Sequence, residues 1–152
     1  MRVTLLITLA LAAGINATTA TDEKFGTAEE AEALVAKAVA HVKSAGAEKA
    51  YQDFTGKVPQ FIHRDLYVVV YDLEGRVLAH GQHATLVGQN LLELRDPDGK
   101  PWIKERVKMA RSKDKFWQDY KFRDPITKRT LSKSTYCERL DSTVVCAGIY
   151  KR

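Results

Sequence analysis

The sequence predicts a single α+β domain with an antiparallel sheet, and three observations lead to that prediction. The chain has 152 residues, 45% of them apolar, which suits one domain with one sizeable core. Apolar residues recur at helical spacing between residues 28 and 54, whereas the segments after Pro59 are strand-like. Short turns separate most of those segments, so hairpins are expected. No internal repeat or second domain is indicated.

The strongest helical pattern covers residues 28–45. Thr27 and Glu30 have the spacing of a capping box, and acidic side chains fill the first turn, where the helix dipole favours them. Gly46 interrupts the pattern, so residues 47–54 are predicted to form a second, shorter helix. The apolar stripe of the first helix is Leu34, Val35, Ala38, Val39 and Val42.

The strand-like segments predict two hairpins and one further strand. Residues 66–71 and 76–80 flank a turn, and residues 130–140 and 143–150 flank Asp141-Ser142. Residues 116–122 form an aromatic-rich strand. A turn at residues 96–99 and a helix are predicted before that strand. Pro101 occupies the first position of this helix, and its apolar side contains Ile103, Val107 and Ala110.

The N-terminus has the pattern of a secretory signal peptide. Arg2 supplies a positive charge, residues 3–13 are apolar apart from two threonines, and small residues follow, with cleavage expected after Ala17 or Ala20. The alternative is a retained membrane anchor, although the apolar run is short for a membrane span. Export, to a bacterial periplasm, is therefore expected. The predicted organisation is a signal peptide at 1–17, a lead-in at 18–27 and one domain at 28–152.

Charge is unevenly distributed along the chain. The whole sequence carries a formal charge of +5, and residues 99–152 contain fifteen basic and six acidic side chains. Such a half can bind small anions, an anionic membrane or nucleic acid, or it can be a solvated basic face. Export makes nucleic acid an unsuitable partner, so no nucleic-acid binding is predicted.

Cys137 and Cys146 are the only cysteines. With Asp141-Ser142 as a two-residue loop, these two residues lie directly opposite each other in the hairpin. They would form a non-hydrogen-bonded pair, whose Cα atoms come close enough for a disulfide. An exported protein meets an oxidising compartment, so a disulfide is predicted; two neighbouring free thiols are the alternative.

Sequence motifs of common enzymes are missing. There is no P-loop, no Gly-x-Gly-x-x-Gly, no His-Glu-x-x-His and no Cys-x-x-Cys. His80 and His83 lie three residues apart after a strand, a spacing that is not specific for a metal. We therefore predict no catalysis, no metal and no cofactor.

Several segments together resemble the single-Cache extracellular sensor domains of type 2. The resemblance rests on residues 66–100, on the helical residues 31–54, and on the later elements Phe116-Trp117, Tyr120, Asp124-Pro125, Lys133, Tyr136 and Ala147-Gly148-Ile149-Tyr150. It implies a PAS-like fold, with a long N-terminal helix packed on a roughly five-stranded antiparallel sheet and a small-ligand pocket on the other side. It also implies binding of small organic molecules, often short carboxylates, by ectodomains of chemoreceptors and kinases.

Alternation along the closing hairpin predicts which residues face the pocket. Lys133 lies opposite Tyr150 on a face that offers a charge, hydroxyls and space at Gly148, whereas the other face is more apolar and suits packing against the helix. Tyr136 belongs to that second face by alternation, yet matches the family pattern; only a β-bulge would bring it to the pocket. Further candidate ligand-binding residues are Trp102, Arg106, Tyr120 and His80, and protonation of His80 would make binding pH-sensitive. The alternatives are a Trp102 at the edge of the core, a solvated Arg106 and a Tyr120 that belongs to the core.

The leading hypothesis is an exported domain that reversibly binds a small organic acid and performs no chemistry. No membrane span or output module follows Arg152, so the domain is expected either to signal through a partner, such as a membrane-bound signalling protein, or to act as a free periplasmic binding module. A second hypothesis is an adaptor that docks a membrane sensor or an anionic surface through its basic C-terminal half. A third is a secreted enzyme that uses the region of His80 and His83.

Overall fold

The computed structural model describes residues 24–152, so the predicted signal peptide lies outside the described residues. The described chain is α+β, as predicted, with helices packed on an antiparallel sheet. The helices are α1 (Ala28–Ala45), α2 (Ala47–Thr55) and α3 (Trp102–Ser112). The strands are β1 (Ile62–His63), β2 (Leu66–Tyr67), β3 (Val69–Asp72), β4 (Val77–His80), β5 (Lys115–Arg123), β6 (Thr130–Leu140) and β7 (Thr143–Tyr150).

The first two helices begin and end where the local sequence predicts. The Thr27 hydroxyl accepts a hydrogen bond from the Glu30 backbone N–H at 3.2 Å, and the Glu30 carboxylate accepts one from the Thr27 N–H at 2.8 Å. This reciprocal pair is the predicted capping box. Gly46, with φ of 85°, ends α1 because its left-handed backbone conformation suits a residue without Cβ. No helix of residues 24–152 is long and apolar enough to cross a membrane.

The main sheet has five strands in the order β4-β3-β7-β6-β5. The aromatic-rich strand β5 is not isolated but pairs with β6 along nine residues. The predicted strand at residues 66–71 is interrupted at Val68, because Leu66 and Tyr67 pair with the short strand β1 while β3 pairs with β4 and β7. Pro101 lies one residue before the first residue of α3 rather than at its first position.

The two faces of the sheet carry different cores. One face packs against α1 and α2, and it contains Tyr136, Val145 and Ala147, as alternation predicts. The opposite face carries the side chains that lie near α3. The predicted disulfide is present: Cys137 is paired with Cys146 in the register, and their Cα atoms are 4.2 Å apart.

A candidate ligand-binding site with two buried cations

Lys133 is buried on the face of the sheet that points away from α1. It lies opposite Tyr150 on β7, as predicted, and opposite Tyr120 on β5, and only 3% of its surface is exposed. Its ammonium group donates a hydrogen bond to the Tyr67 hydroxyl at 2.9 Å. Three aromatic rings surround the Nζ atom, with centroids at 4.4 Å for Tyr67, 4.8 Å for Tyr150 and 5.6 Å for Phe122. We call this group the Lys133 cage.

Hydrogen bonds connect the Lys133 ammonium through the Tyr67 and Tyr150 hydroxyls to the Arg123 carbonyl oxygen, and each group donates to the next. The Tyr150 hydroxyl donates to the Arg123 carbonyl oxygen at 2.8 Å, so the Tyr67 hydroxyl must be the donor in the 3.2 Å contact between the two phenols. Burial raises the pKa of both phenols, which therefore stay neutral. Burial opposes the charge of Lys133, but the oxygens of Tyr120 and Tyr67 favour it, and the net direction of its pKa is upward. Lys133 is consequently a cation at neutral pH.

Arg106 on α3 is the second buried cation, with 1% of its surface exposed. Its Nε donates to the Gln118 side-chain oxygen at 3.0 Å, and the Gln118 amide donates to the Trp102 carbonyl at 2.8 Å. The Arg106 Cζ atom lies 5.1 Å from the ring centroids of Trp102 and Tyr120 and 5.4 Å from that of Tyr71. Trp102 and Tyr120 are stacked, with centroids 4.4 Å apart. We call this group the Arg106 cage.

Neither buried cation has an acidic partner among the described residues. No ion pair within residues 24–152 includes Lys133 or Arg106. The Nη2 atom of Arg106 is buried and has no hydrogen-bond partner. A buried charge without a counter-ion is costly, and a fixed guanidinium matches a carboxylate in geometry. The arrangement is chemically suited to accept an anion.

His80 lies beside the Lys133 cage as a neutral ring. Its ring is stacked on Tyr67 with centroids 5.4 Å apart, and its Nδ1 accepts hydrogen bonds from the backbone N–H groups of Gln82 and His83. The ring proton is therefore on Nε2. Burial, together with the charge of Lys133, lowers the pKa of His80 to about 3. The ring stays neutral between pH 5.5 and 8, so its ionisation supplies no basis for pH-sensitive binding in that range.

Gly148 gives the Lys133 side chain its space. A Cβ atom at this position would lie 2.3 Å from the Thr135 hydroxyl oxygen and 2.9 Å from the Lys133 Cε. The Thr135 hydroxyl in turn donates to the Tyr120 hydroxyl at 3.3 Å. The absence of a side chain on β7 is thus what allows Lys133 and Thr135 on β6 to turn toward the site.

The structure brings six of the seven candidate residues to one side of the sheet and leaves one apart. Tyr136 lies on the α1 face, where its ring contacts Trp117 with centroids 5.4 Å apart, because no bulge interrupts the register of β6 and β7. The expectation that Tyr136 joins the pocket is therefore corrected. Sequence reasoning missed Tyr67 and Gln118. Gln118 was detectable as the one amide on a strand face otherwise lined by Phe116, Tyr120 and Phe122.

Comparisons with solved structures show the same fold in chemosensory proteins. A methyl-accepting chemotaxis protein from Vibrio parahaemolyticus RIMD 2210633 has a TM-score of 0.69 at 22% identity, covering 80% of this chain and 86% of that one. A Cache chemosensory domain described for its carboxylic acid recognition has a TM-score of 0.68 at 20% identity, covering 82% and 92%. A periplasmic sensor domain of a chemotaxis protein has a TM-score of 0.65 at 25% identity, covering 82% and 90%.

Sequence comparison supports the same relationship. The sensor histidine kinase MctS of Rhizobium johnstonii (strain DSM 114642 / LMG 32736 / 3841) is 34% identical over 89 residues, which are 57% of this chain and 19% of the kinase. The chain therefore spans about a fifth of the length of that relative. The sequence profile described as Single Cache domain 2 matches residues 6–151. The chain belongs to the single Cache domain 2 family of sensor domains.

Proposed function

We propose that this protein is an exported sensor domain that reversibly binds a small organic carboxylate between Arg106 and Lys133 and leaves it chemically unchanged. The observation that carries the proposal is the buried Nη2 atom of Arg106, which has no hydrogen-bond partner and no acid beside it. A ligand carboxylate would supply both the missing acceptor and the missing negative charge.

The surrounding side chains suit a small, partly apolar acid. The rings of Trp102, Tyr120 and Phe122 contact one another and provide apolar walls beside the cations. The Nε2 proton of His80 adds a neutral donor near Lys133. A pocket with apolar walls and a few fixed polar groups is the usual form of a small-molecule site. The carboxylic acid recognition described for a Cache domain of the same fold is in keeping with this proposal.

Export and coupling to a membrane protein complete the proposal. The Cys137–Cys146 disulfide supports an oxidising compartment, in agreement with the predicted signal peptide. The similarity to a part of a sensor histidine kinase supports a membrane-bound signalling protein as the recipient of the signal. Transmission would require the ligand to bind two conformations of the domain with different affinities.

A thermal-shift screen followed by calorimetric titration tests the proposal. The protein, with its disulfide intact, is screened at fixed pH and ionic strength against mono- and dicarboxylates, amino acids and amines. A ligand at 100-fold its Kd stabilises the native state by about 2.7 kcal/mol, which raises the Tm by several degrees. We expect carboxylates alone to give such shifts, and Arg106→Gln to reduce them. Selective shifts with amines, or none with any acid, would overturn the proposal.

A further inference from the structure

We infer that the ligand carries an anionic group at each end, as a short dicarboxylate does. The inference rests on the proposed function, because it concerns the same site and names the class of acid. It starts from the number of buried cations. Arg106 and Lys133 are both buried, and neither forms an ion pair among the described residues. The site therefore offers two positive charges rather than one.

The two cations occupy separate aromatic surroundings. The Arg106 cage is formed by Tyr71, Trp102 and Tyr120, whereas the Lys133 cage is formed by Tyr67, Phe122 and Tyr150. Within residues 24–152, no ring lies within cation–π distance of both cations. Each cation is thus surrounded by its own set of aromatic rings. A single carboxylate bound at one cage leaves the cation of the other cage without an anion.

The register of the sheet places contacts of the two cations at neighbouring inward positions of β5. Gln118, which holds the Arg106 Nε, and Tyr120, which pairs with Lys133, are two residues apart on one face of β5. Two residues along a strand correspond to about 7 Å. Thr135, which is paired with Gln118 in the register, donates a hydrogen bond from its hydroxyl to the Tyr120 hydroxyl and so connects the two positions. A chain of a few carbon atoms is the size of molecule that can reach both cages.

Charge compensation favours two carboxylates on one molecule. A monocarboxylate neutralises one buried cation and leaves the other uncompensated, whereas the second carboxylate of a bound dicarboxylate acts at high effective concentration. Two buried acids, Asp65 and Asp124, do not replace it. Both are paired with Arg152, and the oxygens of Asp124 also accept hydrogen bonds from Ile126 and Thr127.

Matched ligands separate this inference from the proposed function. Malonate, succinate and glutarate are titrated calorimetrically at pH 7.5 and fixed ionic strength, alongside butyrate and succinamate, the half-amide of succinate. Succinamate keeps the length and polarity of succinate but has one charge fewer. We expect the best-fitting dicarboxylate to bind about tenfold or more tightly than succinamate and butyrate, a difference of about 1.4 kcal/mol or more.

Variants of the two cations provide the second part of the test. Arg106→Gln and Lys133→Met should each reduce the affinity for the dicarboxylate to that of a monocarboxylate, while the exposed control Lys113→Met should leave it unchanged. Equal affinities for butyrate, succinamate and the dicarboxylates would overturn the two-ended inference and leave the proposed carboxylate site intact. Binding of no carboxylate at all would overturn both.

Discussion

At the scale of single residues, the buried charge of Lys133 costs the fold stability. Its ammonium group is desolvated and has no acidic partner within the described residues; its hydrogen bond goes to the neutral Tyr67 hydroxyl. Replacing such a charge by an apolar side chain of similar shape is often stabilising, because the cost of burying the charge disappears. The Tyr67 hydroxyl would still have its bond to Tyr150.

We therefore expect Lys133→Met to raise the free energy of unfolding of the ligand-free protein by about 1 kcal/mol or more. The same substitution should reduce the stabilisation that a carboxylate ligand gives to the wild type. Urea denaturation with and without the ligand measures both effects. A variant that is less stable than the wild type in the absence of ligand would show that Lys133 contributes to the fold rather than to binding.

The neutral state of His80 predicts how stability depends on pH. Its pKa of about 3 in the folded state lies below the value of about 6.5 expected for the unfolded chain, so between these values only the unfolded state binds a proton. Stability is full above pH 6.5 and falls as the pH decreases toward 3. The contribution of His80 between pH 7 and pH 5 should be about 1 to 2 kcal/mol.

The variant His80→Asn tests this, because the Asn oxygen can replace Nδ1 as acceptor and does not titrate. Urea denaturation at pH 7 and pH 5 should show a smaller loss of stability for His80→Asn than for the wild type. Equal losses in His80→Asn and the wild type would mean that His80 is protonated in the folded state. Ligand affinity should stay constant between pH 5.5 and 8.

The positions of the candidate site residues were predictable where alternation along a strand determines the face on which a residue lies and the hairpin register determines its partner. Lys133, Tyr150 and the Cys137–Cys146 pair follow from counting outward from Asp141-Ser142. Alternation also separated Tyr136 from Lys133. The partners of Lys133 were not predictable, because Tyr67 reaches it only through the order of strands, which places β2 beside β7 although they are far apart in sequence.

At the scale of elements, the β6–β7 hairpin positions Lys133, Thr135 and Tyr150 of the candidate site. Gly148 leaves room for Lys133 and Thr135 on the face of the sheet away from α1, since a Cβ atom at Gly148 would overlap the Thr135 hydroxyl and the Ser134 carbonyl oxygen. Helices and hairpins were predictable because capping, turn and periodicity signals are local. The break at Val68 was not, because it arises from a change of pairing partner between β2 and β3.

Gly148→Ala should therefore destabilise the protein by about 1 to 3 kcal/mol, the usual cost of overpacking, and weaken carboxylate binding. The added methyl group displaces the Thr135 hydroxyl and the Lys133 stem together. Thermal unfolding and titration with the best acid measure the two effects. Ser132→Ala, at an exposed position of β6, is the control and should change neither. A Gly148→Ala protein with wild-type affinity would show that Lys133 does not need this space.

At the scale of the whole molecule, Arg152 joins the segment after β7 to the segment before α1. Its guanidinium lies 2.9 Å from Asp65 and 2.8 Å from Asp124, two carboxylates that are almost completely buried, and 3.7 Å from the centroid of the Phe25 ring. Asp65 also accepts a hydrogen bond from the Gly26 N–H at 2.7 Å. This cluster contacts the site through Tyr150, whose ring centroid is 5.4 Å from the Arg152 Cζ.

Removing this cation should be costly, because two buried carboxylates would lose their shared partner. We expect Arg152→Ala to lower the free energy of unfolding at pH 7 by on the order of 3 kcal/mol, and to speed hydrogen exchange at the Gly26 amide. Burial raises the pKa of Asp124, but hydrogen bonds from Ile126, Thr127 and Arg152 outweigh it, so the net pKa is lowered.

The stability that comes from this lowered pKa is present above the unfolded value of about 3.8 and is lost as the pH falls through the lower folded value. The difference between Arg152→Ala and the wild type should therefore be largest near neutral pH and shrink in strong acid, where a protonated Asp124 no longer needs a cation. Denaturation curves at pH 7 and at a pH well below 3.8 check this, with the exposed Arg129→Ala as control. Equal stability of Arg152→Ala and the wild type at pH 7 would show that the contacts of Arg152 make no net contribution to stability. The chain segments before α1 and after β7 would then be held together by other interactions.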